Sequence, residues 1–329
     1  MCKISFIVTV YNLEAYIEKC IKSLMRQTMK DIEIIVIDDG SKDESKEIID
    51  RLAKEDSRIK NIYQENSGVS RARINGFNNS TGEYIIFIDG DDWVSAELAQ
   101  EAYCVGSKND YDIVCFDYYN VKYDNKIQEE HNNINKDVSE YEYLELILEQ
   151  KINHELWNKL IKREFINKTN YCGINNIGMG EDLAINVEFG VNKPKVRFIQ
   201  GCYYYYYQRQ GSVMHRFDKN SLDIEKALNY IELTLEKKNI LYKYEKQIEF
   251  LYFIHIYVND ILFQTEIIND IHKKAYNIWR GKNIRVKNNK LCMDFIKSMF
   301  TVKTKILFKA FNLNYYMGCF LVKLKKLIS

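Results

Sequence analysis

A single proline, Pro194, occurs in 329 residues, eight cysteines stand singly and five histidines are widely scattered. The proline scarcity accompanies abundant Lys, Asn, Ile and Tyr, reflects a biased codon composition and excludes no function. Cys2, Cys20, Cys104, Cys115, Cys172, Cys202, Cys292 and Cys319 show no paired spacing and lie mostly in apolar stretches. Reduced core thiols are therefore expected, not a disulfide framework. Neither a Cys-x-x-Cys pair nor a histidine cluster supports a zinc site. No uninterrupted apolar run approaches the roughly 18 to 20 residues that cross a bilayer. A strand pattern begins at once with Cys2, Lys3 and Ile4, so no signal peptide is expected. A cytoplasmic location follows, soluble or peripheral at the inner face of the cell membrane. The net charge of +1 argues against the broad basic surface of a nucleic-acid binder, and no nucleic-acid partner is expected.

Length favours one large α/β domain with a smaller appendage. Ile4 to Val10 and Ile32 to Ile37 are apolar strands, separated by a helical spacing of Ile17, Ile21, Leu24 and Met25. The second strand ends in Asp38-Asp39-Gly40-Ser41, where Ser41 or Asp43 can N-cap a helix running to about Lys54. A strand at Ile59 to Gln64, a helix at Ser70 to Asn78, a strand from Tyr84, a helix at Glu97 to Ser107 and a strand at Asp112 to Tyr118 follow. That alternation predicts right-handed crossovers and a parallel, twisted sheet. Beyond it, Asn125 to Lys136 reads as a loop, Ser139 to Glu149 and the segment from Glu181 as helices, and Lys195 to Ile199 and Cys202 to Tyr207 as two short strands. From about Lys219 the pattern is helical, which puts the domain boundary near Phe217.

Tyr84-Ile85-Ile86-Phe87-Ile88 runs into Asp89-Gly90-Asp91-Asp92 with nothing between the carboxylates to neutralise them. In an open α/β sheet these side chains emerge at the carboxyl edge, where ligands bind. Without a cation, one carboxylate should hold a proton or the loop should turn to water. Hard oxygens with few protein ligands favour Mg²⁺ or Mn²⁺ shared with phosphate oxygens, so the implied ligand is a nucleoside diphosphate. The same residues also make a good turn, with Asp92 as an N-cap near Ser95. Val10-Tyr11-Asn12 and Asp38-Asp39 close adjacent strands, so a base can stack on Tyr11 while Asp39 accepts hydrogen bonds from a uracil-like imide or a ribose hydroxyl. After the third strand, Gly68 permits close backbone approach, and Arg73 is the better candidate than Arg71 to pair with a diphosphate.

Together, Val10-Tyr11-Asn12, Asp38-Asp39-Gly40-Ser41, Asn66-Ser67-Gly68, Ala72-Arg73, Gly82-Glu83-Tyr84 and Asp89-Gly90-Asp91-Asp92 resemble the ordered motifs of glycosyltransferase family 2. The resemblance runs from about Ile4 to Gly211. It implies the GT-A fold, an α/β Rossmann-like and mostly parallel sheet flanked by helices, joined here to a C-terminal helical subdomain. The catalytic domain would span 1–217, with a nucleotide-sugar half to about 120, and a helical, basic region would span 218–329. Also implied are a nucleotide-sugar donor, an inverting transfer and a divalent cation held by Asp91 with Asp92 or Asp89. Thr9 stands where many members carry Pro and either is harmless or adds a contact to the base; Ile74 replaces the usual Asn, removing any donor contact made there. Trp157-Asn158-Lys159-Leu160 and Gly180-Glu181-Asp182 resemble acceptor-side elements, and the resemblance assigns the base that deprotonates the acceptor hydroxyl to Asp182, with Glu181 as the alternative. Arg209 resembles a position near the diphosphate, and His215 is open between the site and the surface. Strand packing is the expected role of Tyr203 to Tyr207.

The implied enzyme moves a sugar, with UDP as the expected carrier, to a saccharide or lipid-linked saccharide in a surface polysaccharide: capsule, exopolysaccharide or O-antigen. The rivals are a non-catalytic nucleotide-sugar-binding protein and a sugar nucleotidyltransferase, the latter disfavoured because Tyr11-Asn12-Leu13-Glu14 is no Gly-rich basic loop. From Lys282 to Ser329 there are eleven Lys and Arg against one acidic residue, Asp294. Phe295, Met299, Val302, Ile306, Phe308 and Leu313 are interleaved there with Lys297, Lys303, Lys305 and Lys309, a pattern suited to an anionic membrane surface or to a packed helical subdomain.

Overall fold

Every side chain of Ile4–Val10 (β1) and Ile32–Asp38 (β2) is buried, as continuous apolar runs require when helices cover both faces of a sheet. The computed structural model describes residues 2–124, 126–132, 134–209, 222–263 and 269–328. Contacts divide the chain into Met1–Ser212 and Val213–Ser329. Phe217, expected at the boundary, and His215 lie outside the described residues.

In the first unit β1 pairs in parallel with β2 and with Tyr84–Asp89 (β4), and β2 pairs in parallel with Ile59–Tyr63 (β3). The register sets Val10 opposite Asp38 and Thr9 opposite Asp89, which aligns the acidic strand ends in one layer. Helices Ile17–Met25 (α1), Ser45–Glu55 (α2), Val69–Asn78 (α3) and Leu98–Lys108 (α4) make the crossovers. Ile17, Ile21 and Leu24 of α1 and Leu98 and Ala102 of α4 share a core with Phe6, Val8, Ile34, Val36, Ile86 and Ile88. Each such side chain contributes about 1.5 to 3 kcal/mol when fully buried.

Past β4 the sheet becomes mixed. Its order is β3-β2-β1-β4-β9-β6-β10-β5, with Lys159–Lys162 (β9) antiparallel between β4 and Ile113–Lys122 (β6). Val196–Gln208 (β10) runs parallel to β6, and Trp93–Val94 (β5) pairs antiparallel with it. Two expectations are corrected here. The two strands expected at Lys195 to Ile199 and Cys202 to Tyr207 are one strand of 13 residues, carried through a register shift at Gly201, whose φ of +126° lies in the region glycine favours. The loop expected at Asn125 to Lys136 contains Ile127–Glu130 (β7), whose residues pair with β6 although three of the four are exposed, so no apolar alternation announces it. Asp137–Val138 (β8) adds an edge to β10, and Glu140–Leu148 (α5), Arg163–Asn167 (α6) and Glu181–Val191 (α7) complete the unit.

At the amino edge of the sheet, away from the acidic strand ends, buried Glu33 joins three segments. Its Oε1 accepts from Ser5 Oγ at 2.7 Å, Thr81 Oγ1 at 2.9 Å and Gly82 N at 3.1 Å, and Lys60 Nζ lies 2.8 Å from Oε2.

The second unit consists of Asp223–Lys237 (α8), Leu241–Tyr252 (α9) continuing as a π-helical Phe253–Phe263, Asp270–Gly281 (α10), Lys290–Met299 (α11), Val302–Leu313 (α12) and Tyr315–Ile328 (α13). Phe253 anchors it, packing on Tyr257, Trp279, Phe295, Phe300 and Phe308. Met299, Val302, Ile306, Leu313, Tyr316 and Phe320 are exposed. Among the described residues no helix is long and apolar enough to cross a membrane. All eight cysteines are free, and Cys104 and Cys172 are exposed instead of in the core.

Candidate active site

The loops after β1 and β2 clasp each other. Asn12 N donates to Ser41 Oγ at 2.9 Å, Lys42 N to Asn12 Oδ1 at 2.8 Å, Glu14 N to Asp43 Oδ2 at 2.9 Å and Glu44 N to Glu14 Oε2 at 2.9 Å. Ser41 and Asp43 thus serve the clasp; the residue preceding α2 is Glu44, whose side chain caps nothing. Asn12 takes a left-handed φ of +53° to make the turn, which Asn tolerates well. Tyr11 remains 46% exposed beside this turn, a free aromatic face. Thr9 is buried within β1, and its carbonyl accepts from Gly90 N at 3.1 Å. A Cβ on Gly90 would meet that oxygen at 2.8 Å, so the acidic loop can press onto β1 only because the residue is glycine.

Asp39 is spent on the protein. Oδ1 accepts from Gln64 Nε2 at 2.7 Å and Ser67 N at 2.8 Å, and Oδ2 from Gly68 N at 2.8 Å. Asp39 thereby shapes the loop that leads into α3. Arg71 lies exposed and holds Asn176 Oδ1 at 2.8 Å.

At the end of β4 the three carboxylates separate into three environments. Asp92 turns inward, its Oδ2 accepting from Tyr204 Oη at 2.6 Å and its Oδ1 from Tyr207 N at 2.7 Å. Tyr204 Oη in turn accepts from Asp89 N at 3.2 Å, so one phenol fixes both ends of the turn. Burial, reinforced by Asp91 and Asp89, pushes Asp92 well above the ordinary carboxylate range. Asp92 thus anchors the turn to β10. It does not cap a helix at Ser95. Asp91 keeps 20% of its side chain exposed and lies 2.9 Å from Arg209 Nε. Burial and then Asp89 push it up to about 6 despite that guanidinium.

Arg73 projects from α3 with a side chain only 5% exposed, and its guanidinium joins carboxylates from opposite halves of the unit. Nη2 donates to Asp89 Oδ1 at 2.9 Å and Nη1 to Asp182 Oδ1 at 2.6 Å, with Glu181 Oε1 3.6 Å away. The two terminal nitrogens thus bridge a carboxylate at the end of β4 and one at the start of α7. Asp182 sits in the first turn of α7 behind Gly180, which adopts a left-handed φ of +78°, and its Oδ2 accepts from Leu156 N at 3.1 Å. Glu181, beside it, is raised by burial and by Asp182, so at neutral pH it favours the protonated form.

The site thus holds an exposed aromatic face, a partly exposed acidic loop and a second pair of acids at a helix start, all on the carboxyl edge of the sheet. Over residues 5–176 the sequence matches the family profile described as Glycosyl transferase family 2. The chain belongs to glycosyltransferase family 2. It is 34% identical to the uncharacterized glycosyltransferase EpsJ of Bacillus subtilis (strain 168), over 67% of this chain and 65% of that protein. The cholesterol galactosyltransferase of Borreliella burgdorferi is 32% identical over 86% of this chain and 82% of its own. Among solved structures, S. aureus TarS in complex with UDP-GlcNAc superposes with a TM-score of 0.62 at 18% identity, covering 77% of this chain and 80% of that chain, which establishes the shared GT-A fold.

Several contacts that shape this glycosyltransferase's site join residues to which its sequence assigns no such role. Gln64 and Ser67 position Asp39, Tyr204 positions Asp92, and Leu156 N reaches Asp182. Buried Lys159 donates to Glu155 O at 2.6 Å, Asn158 Oδ1 at 2.7 Å and Asn153 O at 3.0 Å, fixing the segment that ends at Leu156. Trp157 stacks on Tyr204 at 4.5 Å and Tyr206 at 5.6 Å, so these two tyrosines pack as strand residues. The available signal was a lysine set between Trp157 and the apolar pair Leu160 and Ile161, where a buried charge needs dedicated partners.

Proposed function

We propose that this enzyme transfers a sugar from a UDP-sugar to a saccharide acceptor with inversion, in the assembly of a surface polysaccharide or its lipid-linked precursor. The observation that carries the reading is the single guanidinium of Arg73, which holds Asp89 of the donor side and Asp182 of the acceptor side within one ion-paired cluster. In the reaction, the acceptor hydroxyl oxygen bonds to the anomeric carbon and its proton passes to Asp182. The bond from that carbon to the diphosphate oxygen breaks on the opposite face, and the electron pair leaves with UDP. Tyr11 offers its exposed ring to the base, and the clasp formed by Asn12 fixes the turn that carries it. Glu181, holding its proton, is the poorer base of the pair. UDP-GlcNAc, bound in the TarS structure, supports the choice of carrier.

A divalent cation, Mn²⁺ or Mg²⁺, fits the residues present, since Asp89 and Asp91 supply hard oxygens in mutual repulsion, a set suited to such ions. When bound, it supplies positive charge against the departing diphosphate. Arg209, held on Asp91, adds a second positive charge beside the same place.

UDP release from UDP-GlcNAc and UDP-galactose with Mn²⁺ and water as acceptor tests the assignment. Asp182→Asn should lower release by about 10² to 10⁴-fold with UDP affinity retained, and Glu181→Gln should remain active. Loss confined to Glu181→Gln moves the base to Glu181, and full activity in both variants removes the reading.

For the membrane, α12 and α13 present Val302, Ile306, Leu313 and Phe320 to solvent in a segment that also carries Lys303, Lys305 and Lys309. A relative named for cholesterol supports an acceptor with a lipid part. We assign this face to an anionic bilayer surface, each nearby Lys contributing about 1 kcal/mol. The full chain should sediment with phosphatidylserine vesicles and the Lys303→Glu, Lys305→Glu, Lys309→Glu variant should not; equal sedimentation of both discards this assignment.

A further inference from the structure

Three strands of the acceptor half lie side by side in the order β7, β6, β10, and their pairing gathers residues that are remote in sequence. The register sets Glu129 of β7 opposite Tyr119 and Cys202 of β10 opposite Asp117 of β6, while His131 follows the end of β7. As a result one ligand atom each from Glu129, His131 and Cys202 lie within 4.8 Å of one another. The imidazole is held from behind. Nδ1 lies 2.9 Å from Oδ2 of Asp117, whose side chain is 5% exposed and whose Oδ1 accepts from Asn132 N at 2.9 Å. Nε2 lies 3.1 Å from Glu129 Oε2. A buried carboxylate on one ring nitrogen, with the other aimed at further ligands, is the arrangement that orients metal-binding histidines. Register shifts on both sides of Cys202 free its thiol from the regular alternation of β10.

We propose that Glu129, His131 and Cys202 bind a transition-metal ion of the zinc class, with water as fourth ligand and Asp117 orienting His131. Thiolate and imidazole together select such an ion over Mg²⁺ or Ca²⁺. Bond lengths of about 2.0 Å to nitrogen and about 2.3 Å to sulfur put tetrahedral ligands roughly 3.5 Å apart. The widest pair therefore closes by about 1 Å, a movement open to the exposed side chains of Glu129 and His131. On binding, the Cys202 thiol and His131 Nε2 release their protons to solvent, Nδ1 keeps its proton towards Asp117, and one thiolate and one carboxylate balance the dication while the imidazole is neutral. The site lies apart from Asp89, Asp91 and Asp182. It ties the exposed β7 to β10 two residues before Tyr204, the phenol that anchors Asp92.

Cobalt(II) titration of the reduced full chain, in excess Mg²⁺ to occupy carboxylate sites, gives the readout. One equivalent should bind with a thiolate-to-cobalt charge-transfer band that Zn²⁺ abolishes, and Zn²⁺ should raise the thermal midpoint. Cys202→Ala should lose the band, and Glu129→Gln and His131→Gln, both at exposed positions, should each weaken Co²⁺ binding at least about tenfold. Absence of the band in the unaltered protein, its survival in Cys202→Ala, or unaltered affinity in both Glu129→Gln and His131→Gln overturns the proposal. The last pair decides the matter even where the cysteine variant does not fold.

Discussion

Replacing Arg73 by Met keeps much of the side-chain volume and deletes the charge that three acids share. The guanidinium is 5% exposed and lies 2.9 Å from Asp89, 2.6 Å from Asp182 and 3.6 Å from Glu181. Removing one partner of a buried ion pair costs about 3 to 5 kcal/mol, because the remaining charge stays in a poorly solvated place. Two hydrogen-bonded carboxylates are abandoned here, so the upper part of that range applies until they protonate. For a unit of this size each kcal/mol shifts the midpoint by roughly 2 to 4 °C, giving a fall of about 8 to 20 °C. Thermal unfolding of the parent and the variant at neutral pH, followed by tryptophan fluorescence, tests this. A deficit below about 1 kcal/mol, the range of an exposed pair, would refute the view that Arg73 is a structural counter-ion at the site.

Two further outcomes are expected. Burial raises Glu33, but Lys60 and the hydrogen bonds of Ser5 and Thr81 outweigh it and lower it to about 2. That contributes roughly 3 kcal/mol of stability, present above the unfolded value and lost as pH falls towards the folded one. Acid titration of the parent and Glu33→Gln by circular dichroism should show a large stability gap at neutral pH that closes in acid; parallel curves exclude the role. For Asp91, raised to about 6, a proton competes with any cation below that value. Calorimetric Mn²⁺ affinity should fall about tenfold per pH unit under it, and an affinity flat across that range would show that Asp91 is not a ligand.

Much of the fold was legible because its first half speaks in clear patterns: β1, β2 and β4 are mostly apolar and almost wholly buried, and the helices between them carry spaced apolar residues. β7 and β9 were not legible. Four residues each, they exist through backbone pairing with β6 and β4, which leaves little trace in side-chain choice. The join within β10 was hidden for a related reason, since Gly201 reads as a break and acts as a bulge inside one strand. Glu33, by contrast, had a usable signal, because a carboxylate within a buried apolar run must have partners waiting for it.

At the site, sequence located the acids and misjudged their company. Asp89, Asp91, Asp92 and Asp182 follow from strand ends and a helix start, which are local features. Whether a carboxylate faces solvent, a cation or its own protein depends on side chains brought from elsewhere: Tyr204 turns Asp92 inward, Gln64 and Ser67 occupy Asp39, and Arg73 is claimed by Asp89 and Asp182. These partners lie between 16 and 112 residues from the groups they hold. Charge balance gives the reason for such pairings. Five acids at one sheet edge cannot all remain ionised in a poorly solvated site, so the fold supplies Arg73 and Arg209 as counter-ions and leaves Asp92 and Glu181 with raised affinity for protons. Asp91, the acid raised to an intermediate value and still partly open to water, is consequently the residue on which the proposed cation would act without dismantling the fold.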